Sequence, residues 1–169
     1  MPIQPNIARL KKLLNRGAGL GGDVTMYGHK VSIVDVTANK TLTAADSGRI
    51  FLVDPTTTTA ITLPTITSGL KGWHCSVIYD ESEAGTSGGA DALLNVDLGS
   101  GTNLANVGMI FGADGDAGDL CLANDDFVTF SLASSPGDRL DIFTDGVRWY
   151  VYGFVYDVTT VVFATAAAA

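Results

Sequence analysis

"LTAADSGRIFLVDPTTTTAITLPT", residues 42–65, decides the fold. It contains no His and no Cys, its few charges are scattered, and threonine fills the gap between two apolar patches. Asp46-Ser47-Gly48 predicts a turn, because Asp bonds its local backbone and Gly accepts conformations closed to other residues. Arg49 to Asp54 then reads as a strand, a continuous apolar run fit for burial. In the next segment Thr alternates with Ile61 and Leu63, and Pro64 ends it, since Pro cannot donate to a ladder. Threonine faces supply β propensity without a greasy surface. These are scaffold residues, not reagents.

Working outward, the pattern from residue 24 onward is almost wholly β. "KVSIVDVT" (30–37) carries Val31 and Ile33 on one alternation and Val34 and Val36 on the other. "GWHCSVIYD" (72–80) alternates Trp73, Cys75, Val77 and Tyr79 on one face, which predicts that His74 points outward. "DFVTFSLA" and "DRLDIFTDGVRWYVYGFVYD" continue the theme, and the tail "TTVVFATAAAA" suits an edge strand. Asp145-Gly146 between "LDIFT" and "VRWYVYGF" has the signature of a type I′ hairpin, whose two turn positions need positive φ. On the return strand Val147, Trp149 and Val151 make a core face. Arg148, Tyr150 and Tyr152 make an amphipathic face suited to a partner. Past residue 23 no helix is expected beyond a turn at "TAADSG". Residues 81–92 and 99–119 read as soft, turn-rich regions, the second with apolar "MIF" inside it. Many short strands with frequent turn signals predict an all-β body, 24–169, a single sandwich or barrel with jelly-roll-like or Greek-key connections.

Residues 1–23 form a separate basic arm and glycine hinge. "NIARLKKLLNR" (6–16) places Ile7, Leu10, Leu13 and Leu14 on a helical stripe, with Arg9, Lys11, Lys12 and Arg16 opposite. Asn6 suits the N-cap and Gly17 the stop. The glycines of "GAGLGGD" (17–23) satisfy GxGxxG, but a dinucleotide site needs a strand before and a helix after, and here that order is reversed.

The 169 residues suit one domain with a real core. Only 17% are charged, so much of the surface is expected to meet partners. Net charge is −8, split unevenly: four bases and no acid in residues 1–16, then six bases against 18 acids. An acidic body repels phosphate, which argues against nucleic acid as a partner. No apolar run approaches the ~20 residues of a membrane helix, and no secretory signal is legible. A soluble protein made in a cytoplasm, with no membrane partner, is expected.

The chemistry-bearing residues are few. His29 and His74 lack metal-ligand spacing and a nucleophile partner. Glu81 and Glu83 sit together in a soft loop and make a poor glycosidase pair. Asp114, Asp116 and Asp119 suggest a calcium loop ending at Asp125, but its Gly and ligand positions are broken. Cys75 and Cys121 lie among apolar neighbours and read as buried free thiols, with a disulfide left open. No catalysis, metal or other cofactor is expected.

Residues 37–80, "TANKTLTAADSGRIFLVDPTTTTAITLPTITSGLKGWHCSVIYD", resemble a pattern of bacteriophage virion proteins. Those proteins read T-L-T-x-x-D-S-G-x-x-F-L-[VLN]-D, a short Thr/Ala stretch, T-L-P, then an aromatic and a strand. "DIFTDGVRWYVYG" (141–153) is similar to their x-S-D-G-x-x-W-Y-V-x-G ending, with Thr144 where they have Ser. Head decoration (cement) proteins share the motif with domains of tail fibres and other tail proteins. A compact body without an internal repeat, preceded by an arm, resembles the decoration class. That resemblance implies a homotrimer on the head surface of a virion, bound to the major capsid protein. The arm residues would pack on the shell through their stripe and pair with its acids through their bases. A tail adaptor or host-receptor-binding module is the second implication.

Overall fold

The computed structural model describes residues 31–55, 57–80, 93–99, 106–113, 115, 118–122 and 125–166. The described strands all belong to one compact unit, Val31–Ala169. The expected arm and hinge, and with them Ile7, Arg9, Leu10, Lys11, Lys12, Leu13, Leu14 and Arg16, lie outside the described residues.

The body is all-β. Its strands are β1 (Ile33–Val36), β2 (Lys40–Thr41), β3 (Arg49–Val53), β4 (Thr59–Thr62), β5 (His74–Tyr79) and β6 (Leu94–Asp97). They continue with β7 (Val107–Gly112), β8 (Phe127–Phe130), β9 (Arg139–Thr144), β10 (Trp149–Val155) and β11 (Val161–Ala164). Two sheets form, ordered β1-β3-β5-β9-β10-β7 and β11-β8-β6-β4-β2. β11 is an edge strand, as the tail composition implied. β6 and β7 fall where no strand was expected: β6 lies just after residues 81–92, and β7 spans "VGMIFG" in the stretch read as the second soft region.

The connectivity is not Greek-key. From β1 to β6 the chain alternates between the sheets, so each strand is laid beside the one two steps earlier. A chain that crosses to the opposite sheet and back reverses direction twice, so these neighbours run parallel: β1–β3, β3–β5, β2–β4 and β4–β6. The result is a short two-sheet coil, a repeat of path without a repeat of sequence. β8, β9, β10 and β11 then close it with antiparallel pairs.

Side-chain alternation fills the space between the sheets. Phe51, Val77 and Leu140 are register partners in the first sheet, and Ile61, Val96, Val128 and Phe163 in the second; all point inward and are buried. Tyr79 stacks on Phe130 across the sandwich at 5.8 Å between centroids. "RIFLV" is only half core: Phe51 and Val53 are buried, while Ile50 and Leu52 point out and are half-buried.

The quoted turn is a short 3-10 segment, Ala44–Asp46, closed by a capping box. The Asp46 carboxylate accepts from Thr43 N and Thr43 Oγ1, each at 2.8 Å, and from the Arg49 guanidinium at 2.8 Å. Burial raises the Asp46 pKa, but the Thr43 hydrogen bonds and the charges of Arg49 and Lys40 outweigh it, so the net shift is downward. Gly48, with φ +82°, donates its N–H to the His74 carbonyl at 2.7 Å and sets β3 beside β5.

The β9–β10 hairpin exists, but its loop is longer than the two-residue turn expected from Asp-Gly. Trp149 pairs with Thr144, leaving residues 145–148 as the connection. The Asp145 carboxylate accepts from Val147 N and Arg148 N at 2.8 and 3.0 Å, and Thr144 Oγ1 accepts from Gly146 N at 2.9 Å. These side-chain acceptors take the donors that a tight turn would leave to the strands. Val147 consequently sits in the loop and is exposed rather than in the core.

Candidate partner-binding face

Alternation that buries one side of each strand also defines the outside of the six-stranded sheet. Its outward side chains form three rows across the strands. One runs His74, Phe143, Tyr150, Val107; the next Ile33, Ile50, Ser76, Asp141, Tyr152, Met109; the third Asp35, Leu52, Ile78, Arg139, Phe154, Phe111. Phe154, Phe111 and Phe143 are 50%, 45% and 40% exposed, which is unusual for side-by-side phenylalanines on a soluble surface.

The aromatic side chains on this face are stacked. Phe143 lies on Tyr150 at 4.9 Å with the rings 6° apart, and reaches Tyr152 at 6.1 Å. Phe111 lies on Phe154 at 5.8 Å, and the Arg139 guanidinium sits 5.3 Å from the Phe154 centroid. Arg139 also bonds Asp141 at 2.9 Å, and Ser76 Oγ donates to Asp141 at 2.7 Å. The Tyr150 hydroxyl donates to Asp145 at 3.0 Å, and that bond raises its pKa. The Asp145 pKa is lowered, first by the N–H donors of Arg148 and Val147.

Tyr150 and Tyr152 therefore stand on the expected partner face, while Arg148 lies in the hairpin loop beside it. Sequence reasoning missed Phe143, Phe154, Phe111, Ile50, Leu52 and Ile78. A signal existed in the uninterrupted run "RIFLV": a strand apolar on both alternations has two faces to cover.

At one end of the same sheet an open depression of about 450 Å³ is bordered by Phe111, Pro136, Asp138, Phe154 and Tyr156. Asp138 is buried there and accepts from Ser135 N at 2.9 Å and Tyr156 N at 2.7 Å. Burial raises its pKa against those two hydrogen bonds, helped by the nearby Asp157.

The other chemistry-bearing residues are scattered or engaged. His74 is exposed, as expected, with Nδ1 3.2 Å from the Gly72 carbonyl. His29, Glu81, Glu83, Asp114 and Asp116 lie outside the described residues. Asp119 accepts from Phe163 N at 2.8 Å and from Leu120 N at 3.0 Å, tying the segment beside β7 to β11. Asp125 accepts from Leu122 N at 2.6 Å. Among the described residues no three His, Cys, Asp or Glu side chains come together as a metal site. Cys75 and Cys121 are both free thiols. Burial pushes each up to about 12, with Asp141 and Asp46 adding at Cys75, and Asp125, Asp119 and Asp126 at Cys121. Among the described residues no helix is long and apolar enough to cross a membrane.

No protein-family model matches the chain, and no curated protein matches its sequence.

Proposed function

We propose that this chain is a structural virion protein, a decoration or cement protein that binds the outer surface of a phage head as a trimer and stabilises the shell. The observation that carries the reading is the stacked, weakly charged outer face of the six-stranded sheet, a surface suited to burial against protein. The motif residues agree with a scaffold role: Asp46 closes a cap, Gly48 sets a turn, Trp73 and Trp149 fill the core. Such a protein acts by binding alone. Bridging neighbouring capsomers adds buried area to the shell, and an interface of about 1,600 Å² repeated over many symmetric copies resists internal pressure.

In this reading the N-terminal arm is an amphipathic helix on the capsid, with Ile7, Leu10, Leu13 and Leu14 against the major capsid protein and Arg9, Lys11, Lys12 and Arg16 pairing with its acids. A second reading, a tail or fibre adaptor or a receptor-binding module, is favoured by the exposed aromatic stacks, since aromatic platforms also bind glycans and cell-surface proteins. Antibody labelling of intact phage particles, imaged by electron microscopy, separates the two. Regularly spaced label over the head is the expected result, label confined to the tail favours the second reading, and unlabelled particles overturn both.

A further inference from the structure

We draw no further inference here: the strongest candidate, the open depression bordered by Phe111, Phe154, Tyr156 and Asp138 at one end of the six-stranded sheet, has its Phe154 ring already engaged by Phe111 and Arg139 and its Asp138 carboxylate by Ser135 N and Tyr156 N, so nothing in the structure shows what would occupy it.

Discussion

Trp73 and Trp149 meet edge to face in the core, with centroids 5.4 Å apart and planes at 71°. They come from strand regions 76 positions apart in the chain, the start of β5 and the start of β10, and bring the segments 37–80 and 141–153 into contact. Their polar atoms fare differently. Trp73 Nε1 donates to the Thr43 carbonyl at 3.1 Å, whereas Trp149 Nε1 is a buried donor with no hydrogen-bond partner among the described residues.

This asymmetry predicts unequal costs for the same substitution. Trp73→Phe removes a bond and leaves the Thr43 carbonyl without that donor, adding about 1–3 kcal/mol to the loss of ring area. Trp149→Phe loses similar area but deletes a desolvated donor. Urea denaturation should therefore find Trp73→Phe the more destabilising, although Trp149 is the more deeply buried residue.

Asp46 predicts an acid-sensitive cap. Its folded pKa lies below the ordinary value of 3.8, so its stabilisation is present above that value and is lost as pH falls through the folded pKa. Asp46→Asn should destabilise the body at neutral pH, with the gap from wild type shrinking on acidification. Asp138 has the opposite sign: its raised pKa makes its contribution less favourable as pH rises from 3.8 through the folded value. Melting curves at a series of pH values read both slopes.

Gly108 predicts a steric limit at β7. A Cβ there would run into the Val151 carbonyl and lie 2.7 Å from Cζ of Phe163, the β11 ring that packs over it. Gly108→Ala should cost about 1–3 kcal/mol through overpacking. Trimming the ring with Phe163→Leu in the same chain should recover only part of that, because the backbone carbonyl remains. Thermal denaturation of the single and double variants measures the difference.

The thiols predict chemical silence. With both pushed up to about 12, thiolate is scarce at neutral pH. Iodoacetamide should modify neither Cys75 nor Cys121 in the native protein up to about pH 9, and both after unfolding in denaturant. Cys75 is buried and Cys121 only half-buried, so rapid native labelling of either would contradict the raised thiol pKa values rather than mere burial.

The decoration reading predicts a separable role for residues 1–16. Residues 31–169 form a compact unit, so deletion of residues 1–16 should leave the melting curve of the body nearly unchanged while abolishing binding to purified phage heads. Shell binding by the truncated chain at wild-type strength would remove the arm from the mechanism.

What the sequence determined by itself was local. Period-two alternation in "HCSVIY" assigned the buried face of β5 and the outward His74, because a strand's side chains take opposite sides whatever the neighbours are. Asp145-Gly146 marked the hairpin, since a chain reversal needs a glycine and an acceptor for its freed N–H groups. Pairing was another matter. The alternation of β3 is the same beside a parallel neighbour as beside an antiparallel one, so turn spacing suggested a Greek key where the chain coils. β7 carried too weak a signal, its alternation interrupted by Gly108, whose missing side chain is what lets Phe163 pack there. The aromatic outer face was decided last and only in three dimensions. Tyr150 was legible on its strand, but Phe143, Phe154 and Phe111 became one surface through the register of β9, β10 and β7, and register is a property of strands that lie far apart in the chain.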